Sequence, residues 1–197
     1  MNALPYLGRA FILPPKRQRI IIMLKDKIAE HLELAFSEFG FAEPSVTQLK
    51  DACGVSLRTL YKYFPSKEAM VVGALEFRHQ RYLNFLTKEL PQSDPSTTIQ
   101  HIFKQLKLWM LHYAPHGCMS MNAIAAFPDN KIINQTVLAH KELVCQFLGE
   151  LSFRQDIAKE LFILHEGVSS SWPILGDDAV AAAEKVAIKL LEGENNE

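Results

Sequence analysis

The period of the apolar residues constrains this chain more than any other feature. Strand-like alternation is nearly absent, and spacings of three and four recur from end to end, so the sequence predicts an all-α protein. Ile28, Leu32, Ala35 with Phe36, and Phe39 share one helical face, and Gly40 ends that helix. Three start signals follow. Ser45 precedes VTQLKDAC, with Gln48 placed to complete a capping box; Ser56 precedes LRTLYKYF; Pro65-Ser66 precedes a long run from Lys67 to Leu90. The proline-bearing stretch 91–97 reads as a linker. Helices are predicted over 96–114, 117–127, 130–152, 155–172 and 177–192, with Pro115, Pro128 and Pro173 as breaks between them. The expected organisation has about nine helices: a basic arm at 1–24, a three-helix unit at 25–66, a connecting helix at 67–90 and a C-terminal helical body at 91–197.

Composition removes several classes. With 48% apolar and 22% charged residues, the chain is a folded protein and not a disordered one. The 3 cysteines, Cys53, Cys118 and Cys145, are odd in number and widely spaced, so neither a disulfide framework nor a zinc site is expected. His112, His116 and Cys118 are of metal-ligand types, but Pro115 breaks the helical spacing a site would need. No metal and no cofactor are expected, and a reducing, cytoplasmic setting fits the cysteine usage. The N-terminus lacks the order of a signal peptide, and no apolar run approaches the ~18 residues of a membrane span, so no membrane partner is expected. A phosphate-binding glycine loop, a His-Glu-x-x-His pair and a nucleophile with a recognisable base partner are all absent from the sequence, which argues against an enzyme.

Charge is uneven. Residues 1–81 hold 12 Lys and Arg against 8 Asp and Glu, and residues 82–197 hold 9 against 14. A basic first part on an acidic body suits a polyanionic partner. Residues 46–64 give that partner a reader. Two short helices flank a turn at Gly54, with Leu49, Ala52, Val55, Leu60 and Phe64 expected inward, which is helix-turn-helix spacing. Leu57, Arg58, Thr59, Tyr61, Lys62 and Tyr63 then keep surface outward, beside Ser56, and no acidic residue lies between Gly54 and Lys67. A helix this short fits the major groove of double-stranded DNA. Arg58 suits guanine, Thr59 base edges or phosphate, and Leu57 a thymine methyl.

The run from Ile28 through Leu75 resembles the N-terminal domain of the TetR/AcrR family of bacterial transcriptional regulators. The resemblance rests on Phe36 with Gly40-Phe41, Val46-Thr47, the Gly54-Val55-Ser56 turn, Leu60-Tyr61-x-Tyr63-Phe64 and Pro65-Ser66-Lys67-Glu68. It implies that Tyr61 and Lys67 contact the DNA backbone, with Thr47 as a third. Thr47 and Lys67 each stand in the first turn of a helix, where free N–H groups already favour phosphate. Arg9, Lys16, Arg17 and Arg19 precede the domain as a basic arm.

The resemblance further implies that the C-terminal body dimerises and binds a small effector. Trp109, Tyr113, Met121, Asn122 and Phe127, with His140 and His165 as polar groups, are the candidate pocket for a small apolar molecule. Cys118 is a candidate redox or electrophile sensor, although no Lys or Arg lies near it in sequence. Ile157, Leu161, Leu164, Val168 and Trp172 on one helix, and Val180, Ala183, Ala187 and Leu190 on the next, are the candidate four-helix interface of a homodimer. The expected function is a homodimeric repressor, bound to a pseudo-palindromic operator and released by its effector. The alternative is an architectural or division-linked DNA-binding protein of the same fold without an effector.

Overall fold

The computed structural model describes residues 16–91 and 94–193, with side chains from residue 21 onward. The described residues form nine α-helices: α1 (Lys16–Phe39), α2 (Val46–Cys53), α3 (Leu57–Tyr63), α4 (Lys67–Leu86), α5 (Pro95–Tyr113), α6 (Met119–Ala126), α7 (Lys131–Leu151), α8 (Ala158–Leu175) and α9 (Asp177–Glu192), with a 3-10 turn at Gln155–Ile157.

The local signals act as read. Ser45 Oγ accepts from the Gln48 amide at 3.3 Å, and Gln48 Oε1 accepts from the Ser45 amide at 2.8 Å, closing the capping box of α2. Ser56 and Ser66 cap α3 and α4 through the amides of Thr59 and Ala69. Gly54 ends α2 at φ 64°, a left-handed conformation that costs a side-chain-bearing residue energy, and this turns the chain from α2 into α3. Gly73 serves a different purpose. A Cβ there would lie 2.2 Å from the Phe64 ring, so glycine lets α4 lie against the end of α3.

Three expectations are corrected. Helix α1 begins at Lys16, so the segment expected as an arm through residue 24 is helical from 16 onward; after Pro15 nothing in KRQRIIIMLKDK breaks a helix. Arg9 lies outside the described residues. Pro173 does not break α8, which runs to Leu175. In the last turn a proline forfeits one backbone hydrogen bond and the helix stops at Gly176 anyway. On α2 the inward partner of Leu49 is Cys53, one full turn on, while Ala52 is exposed.

Two apolar clusters fill the interior. The first joins Ile28, Leu32 and Phe36 of α1 to Leu49, Leu60, Phe64 and the first half of α4, and continues into Met119, Ala123, Ile133 and Val137 of α6 and α7. The second lies among the end of α4 and α5, α7, α8 and α9 around Phe103, Leu106, Trp109 and Leu161. Each fully buried Leu, Ile or Phe contributes about 1.5–3 kcal/mol. The three-helix unit is therefore seated on the body. Phe41, just beyond α1, meets Phe127 edge-on with ring centroids 6.4 Å apart, and Asn130 donates to Glu68 Oε1 at 2.5 Å. No helix among the described residues is long and apolar enough to cross a membrane.

Candidate nucleic-acid interface and candidate effector cavity

Helix α3 buries one side and presents the other. Leu60 is fully buried, and Phe64 just past the helix is nearly so, while Ser56, Leu57, Arg58, Tyr61 and Lys62 are exposed and Thr59 and Tyr63 are half-buried. The Thr59 hydroxyl is hydrogen-bonded to Ser56 Oγ at 2.9 Å, so this pair fixes the start of the helix as well as facing outward. Lys62 lies over the Tyr63 ring, 5.5 Å from its centroid. Thr47 is exposed at the start of α2. Lys67, half-buried, donates to the Ala42 carbonyl at 2.9 Å, which holds its ammonium where the α1–α2 connection meets the start of α4. The outward side of α3 carries no acidic side chain, and the starts of α2 and α4 flank it in sequence with Thr47 and Lys67.

Between α4, α5, α6, α7 and α8 lies a cavity of about 60 Å³. Its lining includes the apolar side chains of Trp109, Met110, Met119 and Val144, together with Arg78, Lys141, the rings of His79, His140 and His165, and Cys118. Among the described residues no Asp or Glu lines it. Arg78 donates to the buried Glu33 carboxylate of α1, and to the Tyr113 carbonyl at 2.7 Å. Arg81 donates to the same Glu33 oxygen at 2.8 Å. Lys141 Nζ lies 2.6 Å from Glu166 and 3.3 Å from Cys118 Sγ. The imidazoles of His79 and His140 stack with centroids 4.1 Å apart and planes 3° from parallel. Burial, the facing His140 and Lys141 push the His79 pKa down to about 4, and burial and Lys141 lower that of His140, so both rings are neutral near pH 7. Burial works to raise the Glu166 pKa, but the hydrogen bond and charge of His165 and the Lys141 ammonium prevail and hold it at about 2. Tyr82, half-buried beside Trp109, is hydrogen-bonded to His165 Nε2.

Residues 33–74 match the family described as bacterial regulatory proteins, tetR family. That match covers the last turns of α1, all of α2 and α3, and the first turns of α4. The chain's sequence is 38% identical over 60 residues to the HTH-type transcriptional regulator RutR of Escherichia coli K12 and of Shigella flexneri, a match spanning 30% of this chain and 28% of the length of those relatives. Solved structures extend the likeness over the whole fold. A TetR-family transcriptional regulator from Streptomyces coelicolor superposes with a TM-score of 0.75 at 15% identity, covering 94% of this chain and 98% of that one. The reduced form of E. coli NemR superposes at 0.69 and 19% identity, covering 85% and 96%.

The C-terminal body departs from its sequence reading at specific residues. Of the candidate pocket residues, Trp109, His140 and His165 line the cavity. Tyr113 is exposed and packs outside it against Trp109, Phe85 and Arg81; Met121 and Asn122 point to solvent; Phe127 packs toward Phe41. Met121, Asn122 and Phe127 all follow the break at 114–118 that separates α5 from α6. Arg78, His79 and Lys141 were missed, because each reads as an ordinary charged residue on a long helix. Cys118 has a lysine at 3.3 Å that sequence distance concealed.

The candidate dimer residues are also placed differently. Leu161, Val168, Trp172, Val180, Ala183 and Ala187 are buried within the single chain, with Ile157 and Leu164 half-buried against the same cluster and Leu190 half-buried. This face is spent on packing α8 and α9 against each other, α5 and α7. The exposed stripe of α8 is Ile163, Gly167, Ser170 and Ile174, and α9 adds Ala182 and Val186. Ile163 and Ile174 are 67% and 86% exposed.

Proposed function

We propose that this chain is a sequence-specific DNA-binding transcriptional regulator that acts as a homodimeric repressor and is released from its operator by a small molecule held in the C-terminal cavity. The observation that carries the DNA-binding reading is the outward face of α3. Leu57, Arg58, Tyr61 and Lys62 are exposed around a buried Leu60, with no carboxylate in the segment. Free side chains of these types read base edges, while Thr47, Tyr61 and Lys67 meet phosphates on either side.

One helix-turn-helix reads few bases, and a two-fold pair doubles them at fixed half-site spacing. The outer stripe of α8 and α9 supports the dimer reading. Its residues are small or aliphatic, they lie on the side away from the chain's own core, and a Cβ at Gly167 would meet nothing. A cavity that touches α4 through Arg78 and α6 through Met119 supports the effector reading over a closed architectural protein, since both helices pack on the three-helix unit.

Selection of bound genomic fragments at a stated salt concentration tests the reading. An inverted-repeat consensus is the expected result. Uniform, salt-sensitive binding without consensus would replace it with the architectural alternative.

A further inference from the structure

Resting on the reading of the body as an effector domain, we propose that the cavity takes a small carboxylate, and that this anion acts by competing with Glu33 for Arg78. The cavity sets the size. A volume of about 60 Å³ admits roughly four to six water-sized groups, the size of a short-chain organic acid. The lining sets the charge. Arg78 and Lys141 both line the cavity, and among the described residues no carboxylate does. Lys141 is paired with Glu166, while Arg78 shares the Glu33 carboxylate with Arg81, whose side chain is 30% exposed and off the lining. Buried charge that is not fully matched is costly, and an anion in the cavity completes the match for Arg78.

Two more observations point to an occupant. His79 Nε2 and His140 Nδ1 are enclosed and have no hydrogen-bond partner among the described residues, although both rings line the cavity. As neutral imidazoles they offer a donor and an acceptor to a polar head without bringing a competing charge. Trp109, Met110 and Val144 add apolar lining that a short carbon chain can contact. That surface favours a carboxylate with an alkyl tail over an inorganic oxyanion of similar size.

The route to the DNA-binding unit passes through one side chain. Arg78 lines the cavity and at the same time holds Glu33, which is 1% exposed on α1. Glu33 Oε2 has no hydrogen-bond partner among the described residues. An anion that draws the Arg78 guanidinium inward weakens the pin between α4 and α1, leaving Arg81 as the remaining tie. A ligand that acts this way binds the loosened arrangement better than the pinned one, which is the condition for it to shift an equilibrium at all.

Calorimetric titration of the full chain without DNA, using propionate, its uncharged isostere propanamide and inorganic phosphate, tests the inference. The expected result is a saturable propionate isotherm at millimolar or lower concentration, no binding of propanamide, and weaker binding of phosphate. Lys141→Met weakens propionate. Glu33→Gln frees Arg78 while keeping a hydrogen-bonding amide, and tightens propionate about fivefold or more. A gain of affinity separates competition from mere structural damage. Equal binding of propionate and propanamide, tighter binding of phosphate, or no binding of propionate at tens of millimolar overturns the carboxylate assignment; an unchanged affinity in Glu33→Gln overturns the competition for Arg78. Operator selection is read separately. If it fails while propionate binds, the regulator reading falls and the carboxylate site stands; if it succeeds while propionate fails, the reverse holds.

Discussion

Glu33 of α1 and Arg78 of α4 form an ion pair in which the two side chains are 1% and 9% exposed. Such a pair contributes little net stability, because both charges leave water, but breaking it from one side is severe. Glu33→Leu leaves Arg78 and Arg81 without their carboxylate and is expected to cost about 3–5 kcal/mol in denaturant unfolding. Arg78→Met is milder, since Arg81 still reaches Glu33 Oε1 at 2.8 Å. Equal losses in the two variants would mean that Arg81 does not share the carboxylate.

Gly73→Ala tests the seating of α3, the proposed recognition helix. The added Cβ meets the Phe64 ring at 2.2 Å, and Phe64 closes α3. Overpacking of this kind costs about 1–3 kcal/mol. Because the strain falls at the end of α3, operator affinity is expected to drop even in samples that are fully folded by circular dichroism. An unchanged stability would show that the ring swings aside freely.

Stability against pH follows from the buried rings. The His79 pKa stands at about 4 in the folded chain against an ordinary 6.5, so its contribution is complete above 6.5 and is lost as the pH falls through 4. Glu166, held at about 2 against 4.5, acts the same way in the lower window, between 4.5 and 2. Unfolding free energy is therefore expected to decline from pH 6.5 downward, by on the order of 1–2 kcal/mol from His79 after discounting for its partial exposure. His79→Gln removes the upper part of that slope. A stability that rises as pH falls from 6.5 to 5 contradicts the neutral assignment.

The outer stripe of α8 gives an assembly test. Ile163→Asp and Ile174→Asp place charges on exposed positions, so they leave the monomer folded and dissociate the proposed dimer, measured by light scattering at low micromolar concentration. Val168→Asp, by contrast, unfolds the body, because that residue is 1% exposed within one chain. A dimer that survives both outer substitutions places the interface elsewhere.

How legible these features were depends on the range over which each is encoded. The capping box at Ser45, the Gly54 turn and the outward side chains of α3 are each set by near neighbours in sequence, and the pattern alone placed them. The same pattern picked out the stripe of α8 and α9 that is buried within the single chain. Periodicity says that Leu161, Val168 and Ala183 are covered, and it does not say whether the cover is the chain's own α5 and α7 or a second copy. The cavity was least legible. Arg78, His79, Cys118, Lys141 and His165 come from three helices and the loop before α6, and nothing local distinguishes Arg78 from Arg81 one turn later. Only the packing of α1 on α4 reveals that one of them faces the cavity and both hold Glu33.

The central claim is that α3 reads base edges as one half of a two-fold dimer, and the measurement that tests it most directly is sequence selection with the native chain beside Arg58→Ala and Lys67→Ala, across a salt series. The expected native result is an inverted repeat with half-sites spaced by about one helical turn or more. Arg58→Ala is expected to relax one position in each half-site, at about 1–3 kcal/mol there. Lys67→Ala is expected to weaken all sequences alike and to lower the salt slope by roughly one unit for each phosphate left without its lysine. A selected sequence that is identical in the native chain and in Arg58→Ala would contradict the claim.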